Sequence, residues 1–263
     1  MTSTSDIHHI WWCPTGPLAF LPIHAAGVYP SGPKLSDFVV SSYTPTLTAL
    51  LNKSESCDVQ MTPKHQLLTV ALPAESRLPG TRKEVEHVAQ HAKQFSVLSL
   101  LESEATAQNV SEAMKASSWV HFACHGAQDS GRPTESCLQL AKHSKLTLSE
   151  IIKLDLQNAE LAFLSACQTA TGDENLEEEA VHLAAGMLLA GYCGVIATMW
   201  TIDDDVAVEV ADKTYSLLFQ KYNADSTHAA EALHFAIKEV QEDLEAKGKS
   251  SLFKLIPFIH MGI

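Results

Sequence analysis

WVHFACHG at residues 119–126 and LAFLSACQTATG at residues 161–172 are the two stretches that decide the fold. Each opens as a short apolar run of the kind that forms a strand buried on both faces. Each then breaks into small and reactive residues: Cys124-His125-Gly126 after the first run, Ser165-Ala166-Cys167-Gln168 after the second. The 42 residues from His125 to Cys167 leave room for one crossover. That connection sets the two strands side by side in a parallel sheet and brings both side chains to its carboxyl edge, where open α/β sheets hold their ligands.

The flanking sequence repeats the alternation. Strands are predicted at 67–72, 95–101 and 194–200, and helices at 82–94, 105–116, 178–190, 206–222 and 227–246. In 82–94 the apolar residues Val85, Val88, Ala89 and Ala92 recur at helical spacing. Strands alternating with helices imply an α/β fold, a mostly parallel central sheet with helices on both faces. One domain over 1–263 is the economical reading. Within it, residues 1–60 carry two Pro-rich turns, CPTGP at 13–17 and YPSGP at 29–33, and are expected to form a hairpin or edge strands.

Lys plus Arg number 18 against 31 Asp plus Glu, a formal charge of −13. A surface so acidic repels phosphates, which argues against nucleic acid and anionic membranes as partners. Residues 181–202 hold no Asp, Glu, Lys or Arg, but their three glycines and acidic flanks suit a helix, a Gly-Tyr-Cys-Gly turn and a buried strand better than a membrane span. The six cysteines form no CxxC pair and no apolar leader opens the chain, so free thiols in a reducing, cytoplasmic setting are expected.

A thiol attacks as the thiolate, so a nucleophilic Cys167 needs an imidazole such as His125 to take its proton. Gly126 lets the backbone approach closely, and its N–H, with that of Cys167, suits an oxyanion. By spacing alone a buried Cys167 and a hydrogen-bonded His125 are the better reading. A zinc site from His121, Cys124, His125 and Cys137 is disfavoured, because H-x2-C-H is not a zinc spacing and alternate strand residues face opposite ways. His121 reads as packed and Cys124 as a buried thiol. His87 and His91 share one helix face with no third ligand nearby in sequence. No metal and no cofactor is expected, and neither a GxxxxGK[ST] loop nor a GxSxG elbow is present.

The wording of the motifs reverses the preference at the dyad. WVHFACHG and LAFLSACQTATG resemble the CHAT branch of the caspase and separase superfamily. WWCPTGPLAFLPIHAAG at 11–27, SSYTPTLTALL at 41–51 and LPGTRKEVEHV at 78–88 are similar to blocks ahead of the family's His. LTLSEI at 146–151, residues 178–200 and IPFIHMGI at 256–263 are similar to blocks after it, and the style is similar to fungal members. The resemblance implies a caspase-like (caspase-hemoglobinase) fold, with His125 the general base, Cys167 the nucleophile, and Gly126 and Cys167 the oxyanion hole. It implies peptide hydrolysis through a thioester. It also implies a domain that ends a longer chain behind a repeat, sensor or NTPase module.

Separases bind a basic P1 side chain with an acid just past a Trp-containing strand. Here Trp200 precedes Asp203, Asp204 and Asp205, so the resemblance nominates Asp203 or Asp204, with Ser165 lining the same pocket. Capping of the following helix is the competing reading for these acids. The expected activity is thus a cysteine endopeptidase acting on a protein or peptide, by family analogy a gasdermin-like effector or the chain itself. The alternative is a non-catalytic caspase-like signalling module. Latency, if present, is expected in the loops at 128–135 and 171–179.

Overall fold

The computed structural model describes residues 7–56, 65–72, 80–127, 132–154, 156, 158–165, 179–249 and 251–263. Its strands are β1 (His8–Trp12), β2 (Val39–Tyr43), β3 (Gln66–Ala71), β4 (Ser96–Leu101), β5 (Trp119–Ala123), β6 (His125–Ala127), β7 (Cys137–Gln139), β8 (Lys145–Thr147), β9 (Leu161–Leu164), β10 (Gly194–Thr198) and β11 (Phe258–Gly262). Its helices are α1 (Leu47–Ser56), α2 (Thr81–His91), α3 (Ala107–Ala116), α4 (Leu148–Ile152), α5 (Glu179–Ala190), α6 (Asp204–Gln220), α7 (Ala229–Ala246) and α8 (Leu252–Leu255). Eight strands form one sheet in the order β1-β2-β11-β10-β9-β5-β3-β4. Every neighbouring pair is parallel except β10 with β11. The expected α/β architecture is therefore what the chain adopts.

Strand residues alternate between two apolar layers, as the pleat requires. Leu68, Val70, Val120, Phe122, Ala162, Leu164, Val195 and Ala197 face α3, α4 and α5. Leu67, Trp119, Leu161, Phe163, Ile196 and Phe258 face α2, α6 and α7. Trp119, Phe122 and Phe163 are buried to 1 % exposure or less, each contributing about 1.5–3 kcal/mol through removal from water. Burial on both faces explains why β5 and β9 read as unbroken apolar runs.

β1 and β2 lie at one edge and pair in parallel, His8 opposite Val39, which a hairpin does not do. Histidines knit this edge to its neighbours. The fully buried His260 of β11 bonds through Nδ1 to Ser42 Oγ at 2.7 Å, and Ser42 Oγ meets His9 Nε2 at 2.7 Å. His24 shares a 2.8 Å hydrogen bond between Nδ1 and Tyr43 Oη. Gly191 (φ +130°) turns the chain from α5 into β10, confirming the helix–turn–strand reading of 181–202. Among the described residues no helix is long and apolar enough to cross a membrane.

The cysteines depart from expectation. Cys13, Cys124 and Cys137 are free, but Cys193 is disulfide-bonded. Six free thiols is therefore corrected. The difference has a physical source: pairing depends on which residues the fold brings together, and isolated cysteines spread along a chain carry no trace of that.

Candidate active site

β5 and β9 are adjacent, with Trp119 opposite Leu161 and Phe122 opposite Leu164. The crossover inferred from spacing therefore exists. Beyond Ala123 the chain leaves the main sheet at buried Cys124 and re-enters as β6, first strand of a separate antiparallel sheet β6-β7-β8. His125 pairs with Gln139 and Gly126 with Leu138, so this small sheet holds the imidazole just past the carboxyl end of β5. A capping box at Thr147 and Glu150 ends β8 and starts α4. Both His125 and Gly126 are half-buried.

On the neighbouring strand, Ser165 N–H donates to Phe122 O at 2.9 Å, which fixes the start of the Ser165-Cys167 segment beside β5. Among the described residues Ser165 Oγ is buried without a hydrogen-bond partner. Cys167 itself lies outside the described residues, as do 128–131 and 171–178 in the two loops expected to carry latency.

β10 runs to the same edge and ends before Trp200. Asp203 stands at the N-cap position of α6 without a side-chain capping bond, Asp204 is the first helical residue, and both precede Val206 on the buried face. The three acids separate by environment. Asp203 is exposed and forms an ion pair with Lys254 Nζ. Asp205 is exposed, whereas Asp204 is half-buried. Burial, then Glu84 and Asp205, hold the Asp204 carboxyl above its usual range, while the charge of His125 acts in the opposite sense. Asp204 and His125 therefore lie within electrostatic reach of each other, and Asp203 is turned towards α8.

His121, considered for zinc, is otherwise engaged. His121 Nε2 lies 3.0 Å from Glu84 Oε1, with both residues buried, and its ring packs against Phe163 and Tyr215. His91 Nε2 and His87 Nδ1 approach Asp212 Oδ1 of α6 at 2.8 and 3.6 Å, so this helix face is a contact with α6. Among the described residues no three His, Cys, Asp or Glu side chains are grouped to hold a metal ion.

Glu84 and Asp212 went unread in sequence. For Asp212 no local signal exists, since it stands 121 residues from His91. For Glu84 there was one: it shares an inward stripe with Thr81, Val85 and Val88.

Among solved structures, the chain is similar to a Saccharomyces cerevisiae separase–securin complex, with a TM-score of 0.67 and 12% identity over 99% of this chain and 16% of that one. It is also similar to the complex of Porphyromonas gingivalis RgpB pro- and mature domains, with a TM-score of 0.60 and 14% identity over 85% of this chain and 55% of that one. The chain thus spans about half the length of the RgpB chain and a sixth of the separase chain. At such identities the likeness is one of fold, the caspase-like peptidase fold expected from the motifs. No curated protein matches in sequence. The CHAT domain model, however, matches residues 2–254, nearly the whole length, and the chain belongs to that family.

Proposed function

We propose that this chain is a cysteine endopeptidase in which His125 and Cys167 form the catalytic dyad. The observation that carries the reading is the adjacency of β5 and β9, which delivers His125 and the segment leading to Cys167 to one edge of the sheet. His125 takes the Cys167 proton, and the thiolate attacks the scissile carbonyl. The N–H groups of Gly126 and Cys167 hold the oxyanion. His125 then returns the proton to the leaving amine, and water hydrolyses the thioester. No step calls for a metal or an organic cofactor.

Asp204 is the P1 carboxylate in this reading. It is half-buried and sensed by His125, whereas Asp203 already holds Lys254. A carboxylate there selects arginine or lysine. Digestion of a peptide library by wild type and by Cys167→Ala tests the proposal: cleavage after basic residues, abolished in the variant, is expected. Equal cleavage by both proteins rules the dyad out and leaves the non-catalytic signalling module in its place.

A further inference from the structure

Glu84 and His121 form an acid–imidazole pair sealed beneath the candidate site. Glu84 is 3% exposed and His121 0%, and the His121 Nε2–Glu84 Oε1 distance is 3.0 Å. Among the described residues His121 Nδ1 is buried without a hydrogen-bond partner, and the ring is enclosed by Phe163 and Tyr215, with centroids at 4.9 and 5.5 Å. This enclosure decides which ring nitrogen carries the hydrogen. An imidazolium, or a neutral ring protonated at Nδ1, buries an N–H with no acceptor. A neutral ring donating Nε2–H to Glu84 Oε1 avoids that cost. The position of Glu84 in the first turn of α2 favours the carboxylate. With Glu84 a carboxylate and the ring neutral, the pair carries one net negative charge, and among the described residues His121 is the only ion-pair partner of Glu84.

That charge is felt at Asp204. α2 starts at Gly80, where an added Cβ would stand 3.4 Å from Asp204 Cβ, so the first turns of α2 and α6 touch. The Asp204 carboxyl responds to Glu84 before any other charge. We infer that Glu84 is a positioning residue for specificity: its buried charge makes the Asp204 pocket select a cationic side chain over a neutral one. In the empty pocket two carboxylates repel. An entering guanidinium or ammonium relieves both, and a neutral side chain relieves neither. The inference rests on the reading of Asp204 given above.

Glu84→Gln tests it, because the glutamine oxygen still accepts from His121 Nε2–H while the charge is gone. The ratio of kcat/KM for an arginine-P1 peptide over its matched glutamine-P1 peptide is expected to fall about tenfold, mostly through KM, with kcat on the neutral peptide unchanged. Glu84→Asp, which keeps the charge, retains most of the ratio. Benzamidine binding to the Cys167→Ala protein reads the same charge without turnover and weakens by a similar factor when Glu84→Gln is added. If Glu84→Gln does not fold, Glu84→Leu with His121→Phe removes the charge in an apolar pair of similar volume, and must show the same fall. A wild-type ratio and wild-type benzamidine affinity in Glu84→Gln, with both lost in Asp204→Asn, overturn the inference and leave the pocket standing. Benzamidine binding indifferent to Asp204→Asn removes the pocket itself, and the inference with it.

Discussion

His260 makes the stability of this fold sensitive to acid, and the size of the effect follows from its burial. The ring is enclosed in the sheet: Nδ1 meets Ser42 Oγ, and Nε2 is buried without a partner, over Gly194. Desolvation, helped by the charge of His9, lowers its pKa from 6.5 to about 3. The unfolded chain therefore binds a proton below about pH 6.5 that the folded chain refuses, so stability falls as pH drops and levels off only below about pH 3. Between about pH 7.5 and about pH 5 this one group removes about 2 kcal/mol, from the logarithm of the ratio of the two titration factors. His24 and His234, each lowered to about 4, act in the same direction. His9, Glu231, Lys238 and Asp37 are the charged groups facing this cluster. Urea unfolding across that pH range in wild type and His260→Gln isolates the contribution. The variant starts less stable but loses about 2 kcal/mol less on acidification. Parallel curves for the two proteins would refute the assignment of a buried neutral imidazole.

Gly186→Ala places a Cβ 1.7 Å from Leu148 Cδ1 where α5 crosses α4, and a cost of about 1–3 kcal/mol is expected in the urea midpoint; an unchanged midpoint contradicts the packing. Lys254→Ala breaks an ion pair whose members are 41% and 57% exposed, so stability changes by no more than about 1 kcal/mol. The same variant leaves the basic-P1 preference intact if Asp204, not Asp203, is the P1 carboxylate; loss of that preference reverses the assignment. Glu84→Ala leaves the buried His121 Nε2–H without its acceptor and costs about 1–3 kcal/mol, whereas Glu84→Leu with His121→Phe recovers most of it. A double variant as unstable as the single one shows that the pair itself is not what holds α2 to β5.

The parts of this fold legible in sequence are those whose burial is repetitive. β5 occupies 119–123 and β9 occupies 161–164, as the apolar runs indicate, because strands covered on both faces are apolar almost throughout, His121 being the exception. β6, β7 and β8 span three residues each and have no period to read, yet they hold His125. β11 enters between β2 and β10, a placement set by pairing across more than 200 residues rather than by its own composition. The acids show where the useful signal lay. The visible cluster, Asp203 to Asp205, is mostly surface: two of its three residues are exposed and one holds a lysine. Glu84, in the charged string RKEVEHV, looks like ordinary surface, yet its helical phase puts it with Val85 and Val88 on the buried face. A carboxylate cannot stay in an apolar layer without a hydrogen-bonding partner, so phase alone demands one on the sheet below. Topology then names it, since α2 lies over β3 and β5 and His121 is the residue of β5 that faces it with a free N–H. The inward carboxylate of a well-defined helix is therefore a stronger pointer to a built site than a run of acids at a helix start, where the helix dipole accounts for the same residues at no structural cost.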